Sequence, residues 1–224
     1  VPTPVKLLIA SGNPGKLREY QALAATPSPP EASEARPRPG LAESRALELA
    51  LLPGFASLPA FDESAPTFAE NAAGKALHYS RRVAGKIIAD DSGLVVPALG
   101  GRPGVESARY GGPGLDDAGR VAKLLEELRG KRGEERRARF VCVLALAEQG
   151  RLVALFSDKA EGVLLDAPRG EGGFGYDPIF YYEPLEKTFA ELPRQEKNRV
   201  SHRARAFAKL VAFVAAGGAT RGVA

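Results

Sequence analysis

The stretch VKLLIASGNPGKLREYQALAA, residues 5–25, decides the fold class. Val5 to Ala10 is a short apolar run. Ser11, Gly12, Asn13, Pro14 and Gly15 follow as a turn signal, since these residue types break regular structure. From Lys16 onward, Leu17, Tyr20, Leu23 and Ala24 recur at helical spacing. A strand, a glycine-rich turn and a helix make the opening unit of an α/β fold. Such a turn aims backbone N–H groups and the helix dipole at an anion. Lys16 adds a charge that reaches phosphate oxygens, and Glu19 lies one helical turn on. The spacing is not that of a Walker A loop: the glycines stand too close, and Leu17 occupies the Ser/Thr position. Taken alone, a plain strand-to-helix connection explains this stretch equally well.

Outward from it, residues 26–40 are Pro-rich and polar and read as an irregular insertion. Residues 46–52 spell a second strand, although 43–49 could equally begin as helix. Thr67, with Glu70 three residues on, has capping-box spacing and opens a helix over 67–83. Residues 86–90 (KIIAD) form a buried strand ending on acids, with 94–99 pairing nearby. Residues 116–128 make an amphipathic helix. Residues 138–147 and 152–158 read as antiparallel strands around a Gln149-Gly150 turn, and 162–165 extend that sheet. A closing helix covers 201–215 with Ser201 as its N-cap. The chain contains no internal repeat.

With 224 residues, residues 1–224 are expected to form one domain with ample core. No apolar stretch approaches the roughly 18 residues of a bilayer span, and no signal-peptide pattern opens the chain. Cys142 is alone, so no internal disulfide is possible and a cytoplasmic setting is expected. A net charge of +4 is too mild to imply nucleic-acid binding, yet it suits a polyanionic ligand. The densest basic stretch, 129–139, reads as a solvated loop. Absent Met and frequent Pro point to heat stability.

Four further groups are candidates for chemistry, and each taken alone also reads as ordinary structure: surface residues, a strand-capping turn, a glycine-rich hairpin and a basic helix start. Glu63, beside Asp62, precedes a helix on which Asn71 and Lys75 share a face at i,i+4 spacing. In IIADDSG, residues 87–93, Asp90 and Asp91 close a β-branched strand, where open α/β sheets place ligands. Paired carboxylates need a compensating cation, and Mg²⁺ takes one or two carboxylates plus waters and phosphates. GEGGFGYD, residues 170–177, matches G-x-G-x-x-G, but a strand follows instead of the helix that a dinucleotide fingerprint requires. A flexible loop carrying Phe174 and Tyr176 can present a ring to a base, with Gly175 between them and Asp177 as polar anchor. In KNRVSHR, residues 197–203, His202 and Arg203 open the last helix. Donors there suit a purine six-position oxygen and would be left unpaired by the amino group of adenine. A serine-hydrolase reading fails, because no G-x-S-x-G elbow exists.

Together SGNPGKLRE, TFAENAAGKA, IADDSGLVVPALGGRPGVESARYGG, GGFGYDPIF and EKNRVSHR resemble the inosine triphosphate pyrophosphatase family, the dITP/XTP pyrophosphatases, across most of the chain. The resemblance implies an elongated α/β fold, with a mixed central sheet flanked by helices and a nucleotide cleft between two lobes. It implies a homodimer, a purine nucleoside triphosphate substrate such as ITP, dITP or XTP, and Mg²⁺ as cofactor, with no nucleic-acid or membrane partner. Phosphate contacts would come from Ser11, Gly12, Asn13, Pro14, Gly15, Lys16 and Lys75. Metal ligation would fall to Glu63 and Asp91, with Asp62 as the alternative to Glu63, and Asp91 would also activate water. Ser92, Phe174, Gly175, Tyr176, Asp177, Lys197, His202 and Arg203 would hold the nucleotide. Two other readings compete. One is a septum-inhibitor-type pyrophosphatase for modified pyrimidine nucleotides, against which His202-Arg203 and GGFGYDPIF argue. The other, a nucleic-acid binder, rests only on the pI of about 9.2.

Overall fold

The computed structural model describes residues 4–25 and 47–218. The Pro-rich insertion at 26–40 and the possible helix start at 43–46 lie outside them. One seven-stranded mixed sheet organises the described residues, in the order β2-β1-β3-β4-β5-β6-β7. β1 (Val5–Ile9) lies between β2 (Leu47–Leu51) and β3 (Lys86–Val95), parallel to both. From β3 onward pairing is antiparallel, through β4 (Arg137–Glu148), β5 (Arg151–Leu164), β6 (Phe180–Tyr182) and β7 (Lys187–Thr188). The β4–β5 turn is Gln149-Gly150, with φ of 51° and 74°, the left-handed pair that a tight hairpin requires.

Five α-helices are found among the described residues: α1 (Pro14–Ala25), α2 (Phe68–Ser80), α3 (Asp117–Glu127), α4 (Arg194–Val200) and α5 (His202–Ala215). Four begin on a side-chain cap, that of α1 being Asn13, whose Oδ1 accepts from Gly15 and Lys16. Thr67 Oγ1 accepts the Glu70 N–H at 3.2 Å, Asp116 Oδ1 that of Gly119 at 2.8 Å, and Ser201 Oγ that of Ala204 at 3.2 Å. Each satisfies an amide that the helix itself cannot. No described helix is long and apolar enough to cross a membrane.

Strand alternation sorts the core. Leu7, Ile9, Ile88, Leu144 and Leu146 pack with Tyr20 of α1 and Phe207 and Leu210 of α5. Leu8, Ile87, Ala89, Val143 and Ala145 face the other way, against Ala72, Ala76 and Tyr79 of α2. Covered on both faces, these strands read as continuous apolar runs. At the far end of the sheet Phe140, Phe180 and Phe189 pack with Val121, Leu124 and Leu128.

Four expectations change. The strand expected to stop at Asp90 continues to Val95, because β4 pairs with it in unbroken register from Lys86↔Glu148 to Val95↔Arg139. The acids therefore stand in mid-strand, just past the point where β1 ends its pairing at Ile88. Residues 94–99 are no separate strand: Leu94 and Val95 finish β3, and Pro97–Leu99 is a 3-10 turn. Residues 162–165 likewise belong largely to a continuous β5. The basic stretch is not wholly solvated, since Arg136 is buried and donates to the carbonyls of Leu164 (2.6 Å), Leu165 (2.7 Å) and Leu128 (3.3 Å).

Candidate active site

Beyond Ile88, β3 lacks its parallel neighbour, and its free edge lines a cavity of about 510 Å³. That volume suits a small-molecule site. The turn before α1, the inner face of α2, the start of α5 and the glycine loop at 170–177 converge on it.

Alternation along β3 separates the two acids. Asp91 points with Ile87 and Ala89 toward α2, where its Oδ2 accepts from Asn71 Nδ2 at 3.0 Å and its Oδ1 from the Ser92 N–H at 2.9 Å. Burial raises its pKa to about 6; Glu63 and Asp90 push the same way, against Lys16 and Asn71. Lys75, one turn along α2 from Asn71, donates to Glu63 Oε1 at 2.6 Å. Burial works against its charge, but Asp90, Glu63 and Asp91 hold its pKa above the ordinary value. Glu63 lines the cavity, whereas Asp62 is exposed. Asp91 and Glu63 offer hard oxygen donors to one space, and Asp90 Oδ1 is buried without a hydrogen-bond partner among the described residues. This donor chemistry fits a divalent cation. Among the described residues, no group of three or more His, Cys, Asp or Glu gathers in metal-binding fashion.

Asp90 points the other way, toward α1 and α5, where Lys16 Nζ lies 3.0 Å and Arg203 Nε 3.6 Å from its Oδ2. Burial opposes ionisation, but Lys16, Arg203 and Lys75 bring its pKa down to about 2. Arg203 also pairs with Glu19 and donates to Ser92 Oγ at 2.8 Å. Glu19 accepts from Lys197 at 2.6 Å, and Lys197 reaches Asp177 at 2.6 Å. A buried chain of alternating charge thus runs from Asp177 through Lys197, Glu19, Arg203 and Asp90 to Lys16. His202 stacks on Phe140, with centroids 4.8 Å apart and planes at 10°. Burial, with Arg203, Lys197 and Lys16 around it, drives its pKa well below 6.5, so the ring is neutral. Three buried side-chain atoms lack a hydrogen-bond partner among the described residues: Asp90 Oδ1, His202 Nδ1 and Arg203 Nε. All three belong to this site, and such atoms are costly enough to mark a functional place.

The turn and the loop depart from expectation in detail. Asn13 Oδ1 accepts the N–H groups of Gly15 (2.9 Å) and Lys16 (3.1 Å), so these two amides are capped by the protein and not left free for an anion. Pro14 and Gly15 form the first turn of α1, while Ser11, Gly12, Asn13 and Lys16 line the cavity. Phe174 also lines the cavity, 5.1 Å from Lys197 Nζ and 5.6 Å from the Arg203 guanidinium carbon. Tyr176 is not free to stack: it is buried, and its hydroxyl donates to the Ser107 carbonyl at 3.0 Å. Asp177 accepts the Phe174 N–H at 2.8 Å besides pairing with Lys197. Lys197 stands on α4, a separate short helix, because Ser201 breaks the path into α5.

Sequence reading named Glu19 and Asn71 only as neighbours of the site's lysines and gave no role to Arg109, Asp117 or Arg120. Glu19 and Asn71 carried a local signal, each sharing a helix face with a lysine of the site, Lys16 at i,i+3 and Lys75 at i,i+4. Arg109 stands inside the quoted block ending SARYGG, while Asp117 and Arg120 line the cavity from a segment distant in sequence and carried no signal.

A model described as the Ham1 family matches residues 7–213. The chain belongs to the Ham1 family. The resemblance read from its motifs is thereby borne out. Among the relatives of this Ham1 chain, a dITP/XTP pyrophosphatase of Geobacillus kaustophilus is 49% identical over 205 residues, covering 92% of each chain. Another from Thermus thermophilus is 44% identical over 207 residues, 92% of this chain and 90% of the relative. Of solved structures, a HAM1 protein from Coxiella burnetii superposes with a TM-score of 0.77 at 37% identity, covering 94% of this chain and 98% of that one. The Ham1 protein of Staphylococcus aureus also gives 0.77, at 33% identity and 95% and 99% coverage.

Proposed function

We propose that this protein hydrolyses non-standard purine nucleoside triphosphates (ITP, dITP and XTP) to the monophosphate and pyrophosphate. The observation that carries this reading is one cavity joining Asp91, Lys16 and Lys75 to Lys197, His202 and Arg203 beside Phe174. The relatives' names point the same way.

Lys16 and Lys75 neutralise the phosphate oxygens, and Ser11, Gly12 and Asn13 shape the wall against which they lie. Glu63 and Asp91 would hold a Mg²⁺ ion, which supplies Lewis-acid charge toward those oxygens. Asp91, its carboxylate oriented by Asn71 and the Ser92 N–H, holds a water in line with the α-phosphorus and takes its proton. The water oxygen bonds to phosphorus as the bond to the bridging α–β oxygen breaks, and pyrophosphate leaves with its charge held by the lysines. Positioning and electrostatics carry such a reaction without a covalent enzyme intermediate. At the other end, Phe174 stacks on the base and donors around His202 and Arg203 meet its six-position oxygen. An adenine amino group finds donors only and is rejected.

A pyrophosphate-release assay across ITP, XTP, GTP, ATP and UTP, with and without Mg²⁺, tests this. ITP and XTP should exceed ATP by about 10² or more. Equal turnover of ATP would overturn the base reading, and release of orthophosphate would overturn the bond assignment.

The single sheet supports reading the chain as one domain, acting in the cytoplasm where nucleotides are made and used. The implied homodimer has a candidate face on β5: Leu152, Val153 and Leu155 are all exposed, and of β5 only Val163 and Leu164 pair with β6. A Leu155→Lys variant that sediments as the wild type does would remove this face from consideration.

A further inference from the structure

The loop at 170–177 reaches two helix starts on opposite sides of the cavity. On one side Phe174 lies against Gly15 in the first turn of α1, so close that a Cβ at Gly15 would sit 2.8 Å from the ring. On the other, the Gly175 N–H donates to Asp117 Oδ2 at 2.7 Å. Asp117 is the first residue of α3, and its Oδ1 accepts from Arg120 Nη2 at 2.8 Å. Burial works to raise the Asp117 pKa, but Arg120 and the Gly175 amide hold it below the ordinary value, so the acceptor is ionised.

Gly173 and Gly175 have φ of 72° and 62°, a region that favours glycine, so the loop's turn carries no side chain at either position to brace itself. Its position comes from contacts made by its ends and its backbone. Asp177 and the Ala190 carbonyl, which accepts the Gly172 N–H at 3.0 Å, fix the base of the loop. Asp117 fixes the tip. α3 is itself rigidly placed, with Val121 and Leu124 in the core.

We propose that Asp117 is a positioning residue of this site: its carboxylate anchors Gly175 and so sets Phe174 at the base end of the cavity. The proposal rests on reading the cavity as a purine nucleotide site. Asp117 acts through the loop, so its loss weakens substrate capture more than the bond-breaking step at phosphorus.

The test compares Asp117→Ala and Asp117→Asn with Asp116→Ala, which removes the α3 cap but leaves the Gly175 acceptor. Asp117→Ala should speed amide exchange at Gly175, read by NMR, by about tenfold. It should raise KM for ITP by roughly three- to tenfold with kcat within about twofold, the scale of one partly exposed hydrogen bond to a charged group. Asp117→Asn, which keeps an acceptor, should restore most of both. Asp116→Ala should lower the melting temperature and change neither. Wild-type exchange and KM in Asp117→Ala, or the same losses in Asp116→Ala, would overturn the proposal. If the wild type releases no pyrophosphate from ITP, the substrate reading falls instead, and Gly175 exchange alone then decides the anchor.

Discussion

Glu19 and Lys197, 178 positions apart in the chain, form a buried ion pair at 2.6 Å. The same carboxylate pairs with Arg203, so two buried cations share one counterion. Removing that carboxylate leaves each cation one buried counterion, Asp177 for Lys197 and Asp90 for Arg203, so the cost lies at or below the roughly 3–5 kcal/mol of breaking a lone buried pair. Glu19→Ala should therefore lower the urea midpoint by that free energy divided by the m-value, with the m-value itself unchanged. An unaltered midpoint would mean that water enters and compensates the two cations.

The pH dependence of stability follows from His202 and Glu19. His202 titrates well below 6.5 in the fold, so unfolding lets it take up a proton. Its contribution is fully present above 6.5 and is lost as pH falls below it, by at most about 1.4 kcal/mol per pH unit. Glu19, also held low, adds a second loss beginning below its ordinary 4.5. As pH falls from 7.5 to 5, the melting temperature of His202→Gln should rise relative to that of the wild type, because the variant keeps the opposite slope of Asp91 and lacks the loss at His202. Parallel curves would show that other groups account for the slope.

For Asp91 the sign is reversed. Its folded pKa is raised to about 6, so the carboxylate costs the native state stability at neutral pH. Asp91→Asn should abolish ITP turnover, by at least about 10²–10³. In chelator it should also melt above the wild type, by roughly 1 kcal/mol of stability once the loss of one accepted hydrogen bond is discounted. A variant that is inactive but less stable would mean that burial of the charge is already compensated.

Close packing makes Gly93 the fourth test. A Cβ there would lie 2.3 Å from Ser107 Oγ and 2.4 Å from the Gly104 carbonyl, which belongs to the backbone and cannot swing away. Ser107 Oγ also accepts the Leu94 N–H at 2.9 Å. Gly93→Ala should destabilise by about 2–4 kcal/mol in chemical denaturation, above the usual cost of overpacking because no rotamer relieves it.

What the sequence made legible was local. The turn at Ser11 to Gly15, the Thr67–Glu70 cap, the Gln149-Gly150 hairpin and the Ser201 cap each depend on a few adjacent residues, and each is found. The far end of β3 was misjudged because Asp-Ser-Gly reads as a turn, and only a long antiparallel partner keeps it extended. Arg136 looked like one more solvated charge, because the carbonyls it satisfies come from α3's end and from β5, 28 residues on. Glu19 was visible as a neighbour of Lys16, but its partners lie at the opposite end of the chain.

The split between Asp90 and Asp91 has a consequence for how this gene can drift. Two adjacent codons specify carboxylates that serve different halves of one site, and the pleat alone keeps them apart. A one-residue insertion or deletion within β3 ahead of them would leave composition, charge and hydropathy almost untouched. It would nevertheless exchange the acid facing Asn71 for the acid facing Lys16 and Arg203. Reading-frame-preserving indels in this strand should therefore be lethal to activity where many substitutions are borne.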